Sequence, residues 1–544
     1  MLDRMPLRLF NTISRSIESF SALDPANVTF YTCGPTVYDD AHIGNFRSFL
    51  AADVLRRFVE SPLCEIASAG GFHRGPRRVT HVMNITDVGH MTDDAEGGEQ
   101  GEDRMAVAGR RIAEAKKSGK LPAETNINPG DPYQIARFYE QRFREDARKL
   151  GLKLAIDADN DATLMPRATE NVAGMIAIVQ RLISKGHAYV VGAPGSRVVY
   201  FRVTSFPGYG ALSGNTLDAL RAGEGGRVSE ANQAQKEHPA DFLLWKEDAS
   251  HIMKWDSPWG SGYPGWHIEC TVMAVGRLAT RNGQSPISPI GLTEFTPGGA
   301  IIDLHSGGED NIFPHHECEI AQSCCAFSGA KGSFARHWFH PRFLLVEGTK
   351  MSKSKGNFFT ARDLFAKGVE PAALRLELVR THYRSNANFT MQGLTDCARM
   401  VERWRRVAEG AGPDTPTAKQ ARDTMLAEFA AAMHEDLNVA QAIAAINTWV
   451  SSCSAPSTQD AAAFRLVDGV LGVLELVPKA VTSEIAAYAP GVTPDPKVEA
   501  LLVARKEARA KKDFAASDRI RDELAGMGYA IKDMPQGRVE VRRA

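Results

Sequence analysis

The sequence predicts an α/β protein: a Rossmann-like domain interrupted by an insertion, then an α-helical bundle and a small C-terminal domain. Three observations carry this. A β-rich run, Val28-Thr-Phe-Tyr-Thr-Cys33, stops at Gly34-Pro35, and a helical pattern takes over from Gly44. A second β-like run, Val79-Thr-His-Val-Met-Asn-Ile85, follows soon after. Beyond Pro371 the pattern is helical. Strand, tight loop, helix, strand is the usual start of an α/β domain that binds a nucleotide.

Each element has its own signal. Gly-Pro punctuation ends the first strand. Phe46, Phe49, Leu50, Val54 and Phe58 recur at the three-and-four spacing of one buried helix face. Arg110 to Lys120 reads as a helical piece and Leu121 to Pro132 as a proline-marked loop. Tyr133 to Leu150 and Glu170 to Gly186 read as amphipathic helices. Val198 to Val203 reads as a strand inside an insertion, Gly223 to Gly226 as a flexible break, and Arg281 to Gly299 as a loop. Gly410 to Pro416 is expected between helices, Pro494 to Pro496 as a linker, and Val498 to Leu524 as one charged helical segment. Lys497 to Ala544 holds 12 Lys/Arg against 8 Asp/Glu, a modest basic tail.

Composition sets limits. The chain has 544 residues, 43% of them hydrophobic and 24% charged, as in soluble multidomain proteins. Lys+Arg number 64 and Asp+Glu 65, so any nucleic-acid surface must be a local patch. No apolar run is long enough to span a bilayer, and Met1 to Phe10 has no signal-peptide core, so no membrane partner and a cytoplasmic location are expected. Eight cysteines, spread from Cys33 to Cys453, are too sparse for a disulfide framework and read as thiols or metal ligands.

Two short segments suit phosphate. His42-Ile43-Gly44-Asn45 lies where strand gives way to helix, and a helix N-terminus offers unpaired N–H groups and a positive dipole end. Gly44 permits close backbone approach, and His42 and Asn45 can donate hydrogen bonds. Far downstream, Lys350-Met351-Ser352-Lys353-Ser354 suits a loop closing on a polyanion. The pair resembles the HIGH and KMSKS signatures of class I aminoacyl-tRNA synthetases. The second is matched at all five positions, while Asn45 stands where the first has histidine. The resemblance implies that His42, Asn45, Lys350 and Lys353 act catalytically on the phosphates, with Ile43, Gly44, Met351, Ser352 and Ser354 completing the ATP site and Mg2+ accompanying ATP.

Candidate metal ligands are Cys33, Cys270 and the run His315-His316-Glu317-Cys318-Glu319. Zinc takes thiolate, imidazole and carboxylate ligands, but spacing does not select among these: His315 and Glu319 share a helix face, and Cys318 could replace Glu319. Cys324-Cys325 reads as core. Phe30 to Tyr38, Pro264 to Cys270 and Phe313 to Gln322 resemble blocks of the cysteinyl-tRNA synthetases within class I, and the likeness covers most of the chain. It implies one zinc per chain on Cys33, Cys270, His315 and Glu319, holding the thiol of L-cysteine. It also implies a substrate pocket that includes Gly34, Thr36, Trp266, His267 and His305. Leu304 to Asp310 resembles the glycine-rich adenosine loop, with Asp310 toward the ribose.

The same resemblance divides the chain. Residues 1–135 and 241–345 form the two parts of a Rossmann-like class I synthetase catalytic domain, and 136–240 the connective insertion. Residues 346–375 form the KMSKS and stem-contact region, 376–490 a tRNA-binding helical bundle, and 491–544 an anticodon-binding domain. Glu370 to Arg375 and Thr381 to Ser385 resemble the passage into the helical domain, and Lys511 to Arg519 and Pro535-Gln-Gly537 resemble the anticodon-binding end. Phe514 either stacks on a base or packs in a core, and the core reading is preferred. The implied partners are ATP, L-cysteine and tRNA(Cys), and the chain is expected to be a monomer. The catalytic half also resembles a cysteine ligase that acts on an amino sugar, but that group lacks the anticodon-binding end.

Overall fold

The computed structural model describes residues 6–68, 71–90, 102–119, 121, 126–216, 235–279, 287–288, 291–292, 299–328, 333–352, 356–474, 485–488, 495–511, 513–534 and 538–543. Gly223–Gly226, most of Arg281–Gly299, Lys353, Ser354 and Pro535–Gly537 lie outside them.

Four parallel strands form the central sheet: β1 (Asn27–Thr32), β2 (Arg78–Met83), β3 (Ala300–Ser306) and β4 (Ser333–Phe339), in spatial order β4-β3-β1-β2. Helix α1 (Ile43–Glu60) connects β1 to β2, and Phe46, Phe49, Leu50, Val54 and Phe58 are all buried, as their spacing predicts. Phe46 stacks on Phe143 of the helix Pro132–Lys149 at 5.6 Å, so the crossover helix is held by an outer layer as well as by the sheet.

The insertion carries a sheet of its own. Ala188–Val191, Val198–Phe201, Phe242–Glu247 and Gly262–Pro264 make one antiparallel sheet in chain order. Phe242–Glu247 and Gly262–Pro264 therefore pair with the insertion, although they lie beyond residue 240. Helix α2 (Trp266–Leu278) follows directly. Within the segment read as a loop from Arg281 to Gly299, Ile287–Ser288 pairs antiparallel with Gly291–Leu292.

After β4 come the helix Pro371–Val379, a short strand Ala387–Phe389, and the helices Met391–Ala408, Pro416–His434, Val439–Ser452 and Thr458–Leu471. A buried charge cluster joins α1 to these helices. Arg375 donates from Nη2 to Asp53 Oδ2 at 2.6 Å, and Arg57 donates from Nε to the same oxygen at 2.8 Å. The remaining Arg375 donors go to the carbonyls of Leu471, Leu150 and Gly151. Burial would raise the Asp53 carboxyl, but the two guanidiniums outweigh it and hold it well below the usual carboxylate range. Arg375→Met would leave Asp53 buried with one of its two guanidinium partners, Arg57, and the Lys153 N–H, at an expected cost of about 3–5 kcal/mol. Urea unfolding of the pure protein measures this.

The chain separates into two compact units, 1–473 and 474–544. In the second, Ala486–Tyr488 pairs parallel with Val539–Arg543, which pairs antiparallel with Tyr529–Asp533. Its core is Ala486, Tyr488, Val498, Leu502, Leu524, Tyr529, Val539 and Val541. Ala486–Tyr488, expected on the bundle side of residue 491, belongs here. The charged segment is two helices, Pro496–Ala510 and Phe514–Gly526, and Pro496 opens the first helix instead of closing a linker. Asp513 caps the second by accepting from Ala516 N–H at 3.0 Å. Phe514, read as core, is 64% exposed.

Candidate metal centre and nucleotide cleft

The chain leaves β1 through α1 to reach β2 on one side, and returns on the other side as β3. The crevice at the C-terminal ends of β1 and β3 is thus a topological switch point, the usual ligand site of open α/β sheets. Cys33 N–H donates to Ser306 O at 2.9 Å there and ties the two ends together. A cleft opens beside them. Cys33, Gly34, His42, Gly44 and Asn45 line one side, and Asp310, Arg342, Phe343, Lys350 and Met351 also line it.

His42 is the N-cap of α1. Its Nδ1 accepts from Asn45 N–H at 3.1 Å, and Asn45 Oδ1 accepts from His42 N–H at 3.1 Å. This reciprocal box gives Asn45 a physical reason to stand in the HIGH-like segment: its carbonyl closes the cap and its Nδ2 donor remains. An imidazole whose Nδ1 accepts carries its proton on Nε2, so His42 can donate from that atom. Ile43 N–H donates to Phe359 O at 3.0 Å, joining the helix start to the segment after the lysine loop. A Cβ on Gly44 would lie 2.7 Å from Met351 Cε and 2.9 Å from the His42 ring, so the two phosphate segments meet at this glycine. Asn357 braces the second segment, accepting from Ser352 N–H at 2.8 Å and donating to Thr349 Oγ1 at 3.0 Å.

Behind Cys33 lies a buried cluster. Cys33 Sγ is 3.7 Å from Cys270 Sγ and 3.5 Å from Glu319 Oε1. His315 Nε2 is 3.4 Å from Cys270 Sγ and 2.7 Å from Glu319 Oε1. Tetrahedral zinc, with sulfur at about 2.3 Å and nitrogen or oxygen at about 2.0–2.2 Å, sets ligand atoms roughly 3.3–3.8 Å apart. The two thiols, Cys270 with His315 and Cys33 with Glu319 meet that spacing; the imidazole and carboxylate are closer, at hydrogen-bonding length. A kinked turn, Ile312–His316, in which Phe313 is extended, leads into the helix Glu317–Ser323, and His315 and Glu319 meet on the same side.

A second set, Cys33, His305, His316 and Glu319, also converges. Cys33 Sγ is 3.2 Å from His316 Nε2, and His305 Nε2 is 2.8 Å from Glu319 Oε2. Each set has one imidazole backed by another, His315 Nδ1 by His267 Nδ1 at 3.0 Å and His316 Nδ1 by His340 Nε2 at 2.7 Å, so the sets differ in softness: the first brings two thiolates, which suit zinc. In the second, His305 Nδ1 is buried with no hydrogen-bond partner. Burial would lower the His315 imidazole, but Glu319 and Cys270 outweigh it and hold it up at about 10; burial keeps His316 and His267 low.

Cys318 does not join either set: its Sγ lies 3.4 Å from Tyr209 Oη. Cys324 and Cys325 are core residues. Trp266 stacks on His315 at 4.3 Å, while His267 and His305 lie against the first donor set, at His315 Nδ1 and Glu319 Oε2. Gly34 lines the cleft and donates its N–H to Asn84 Oδ1 at 2.8 Å; Thr36 bridges to Thr86 and is not among the lining residues. Sequence reasoning missed Tyr31, His340 and Arg342. Tyr31, two positions before Cys33 and so on its face, sets its ring 5.2 Å from His305. His340 Nε2 is 2.7 Å from His316 Nδ1, a pairing that no spacing rule encodes.

A switch-point cleft lined by the capped start of a helix and by a lysine-bearing segment fits the catalytic domain of a class I aminoacyl-tRNA synthetase. Residues 19–399 match the family described as tRNA synthetases class I (C) catalytic domain, and residues 493–542 match the cysteinyl-tRNA ligase anticodon binding domain. The chain is 38% identical to the cysteine–tRNA ligase of Salinibacter ruber, over 98% of each chain. It is 38% identical to that of Symbiobacterium thermophilum, over 99% of this chain and 100% of the relative, and 36% identical to that of Thermus thermophilus, over 98% of each. A LeuRS–tRNA–LeuAMS ternary complex from Agrobacterium radiobacter aligns over 97% of each chain with a TM-score of 0.51 and 10% identity, a likeness of fold. The chain belongs to the cysteinyl-tRNA ligase family of class I aminoacyl-tRNA synthetases. Among the described residues no helix is long and apolar enough to cross a membrane.

Proposed function

We propose that this chain activates L-cysteine with ATP and transfers it to the 3′-terminal adenosine of tRNA(Cys), acting as a cytoplasmic monomer. One observation carries the reading: Cys33 belongs both to the buried donor cluster and to the wall of the nucleotide cleft. A substrate thiol held at the cluster would lie next to the cleft, within which its carboxylate can meet the phosphates. Cys33, Cys270, His315 and Glu319 are the proposed ligands of one zinc ion. Bound there, zinc supplies a soft Lewis-acid site that takes a thiolate and offers serine or alanine no equivalent, so discrimination arises at binding.

In the first step the cysteine carboxylate oxygen attacks the α-phosphorus of ATP, and pyrophosphate leaves with Mg2+. His42 donates from Nε2, Asn45 from Nδ2, and Lys350 and Lys353 bring ammonium charge to the phosphates as negative charge shifts onto the leaving group. Asp310 accepts from the ribose hydroxyls. In the second step a ribose hydroxyl of the tRNA end attacks the adenylate carbonyl, and AMP leaves. The 493–542 match supports tRNA over an amino sugar as acceptor. Charging of tRNA(Cys) by labelled cysteine, with an amino sugar as the alternative acceptor, tests this. Charging of tRNA is expected; transfer to the sugar alone would refute it.

A further inference from the structure

We propose that Arg342 is a further phosphate-binding residue of the cleft and takes the triphosphate of ATP. This rests on the activation reading above. Arg342 lines the cleft with His42, Asn45 and Lys350, on the chain just after β4.

Its backbone is pinned from both sides. Arg342 N–H donates to Tyr383 O at 2.7 Å, and Arg342 O accepts from Arg47 Nε at 3.1 Å. Arg47 sits on α1 five residues after His42, is buried, and also donates to the carbonyls of Leu378, His382 and Ser385. The Arg342 main chain is thus held in register with the helix that forms the phosphate loop. The side chain is not held in the same way. It is 53% exposed, and its Nε meets Glu309 Oε1 at 3.5 Å.

An ion pair between partly exposed groups at that distance contributes little. A guanidinium gains more from phosphate, whose oxygens match its fork and accept two bonds at once. The cleft also needs charge. Asn45 is neutral and its Oδ1 is committed to the helix cap, and His42 Nδ1 is committed likewise. Among the described lining residues, Arg342 and Lys350 bring fixed positive charge, against Glu309 and Asp310. Glu309 is then the resting partner of Arg342, displaced when the triphosphate arrives.

The test is cysteine-dependent ATP–pyrophosphate exchange at varied ATP on the full chain, comparing wild type with R342A, R342K and E309Q. R342A is expected to raise the ATP KM by about tenfold, the loss of one charge-assisted contact, with the cysteine KM unchanged. R342K, which keeps charge but loses the fork, should fall between. E309Q, which frees the guanidinium, should not raise the ATP KM. An unchanged ATP KM in R342A overturns the proposal, even if tRNA transfer is slowed. So does a rise in E309Q equal to that in R342A, which would reduce Arg342 to a partner of Glu309. Absence of exchange in the wild type would instead defeat the activation reading itself.

Discussion

Cys33→Ser is expected to strip the protein of zinc, to below about one-tenth per chain, and to lower cysteine-dependent exchange by more than about a hundredfold. A hydroxyl is a hard, poorly matched replacement for a thiolate, and Cys33 also forms the cleft wall. Both converging donor sets contain Cys33 and Glu319, so this variant alone does not separate them. Cys270→Ser and His316→Gln do. Zinc assayed by atomic absorption should be lost in the first and retained in the second. The reverse pattern would assign the ion to Cys33, His305, His316 and Glu319.

His42→Asn is expected to leave folding nearly unchanged and to lower the exchange kcat by about 10²–10³. Asparagine is among the preferred N-cap residues, so the start of α1 keeps its cap to within about 0.5 kcal/mol. What disappears is the Nε2 donor, set up by the bond that Nδ1 accepts from Asn45 N–H. Removing one preorganised donor from a developing oxyanion carries a penalty of that size. Thermal unfolding and exchange kinetics on the same preparation separate the two roles. An unchanged midpoint with unchanged kcat would make His42 a cap and nothing more.

Much of this was legible in the sequence because local chemistry encodes it. The punctuation at Gly34-Pro35, the spacing of Phe46 to Phe58 and the polar residues at His42 to Asn45 each act over a few positions, and each stands where that chemistry requires. The donor set was narrowed by resemblance, not by spacing: nothing in His315 to Glu319 says that Cys318 turns to Tyr209 while Glu319 turns to Cys33. The reach of the insertion was hidden because the pairing of Phe242–Glu247 with Val198–Phe201 is long-range. The break at Asp513 was readable, since an aspartate three residues before Ala516 is a cap signal, but the charged pattern on either side masked it. Phe514 is exposed, against the core expectation, because at the first position of its helix it has little to pack on. Arg342 belongs to no motif; only the fold brings it to the cleft.

The central claim is that thiol selection and ATP activation share one site through Cys33. Pyrophosphate exchange on purified protein, with cysteine against serine and bound zinc measured on the same sample, tests it most directly. The account predicts exchange with cysteine, none with serine, and one zinc per chain. Exchange with cysteine in protein that holds no zinc, or equal exchange with serine, would contradict it.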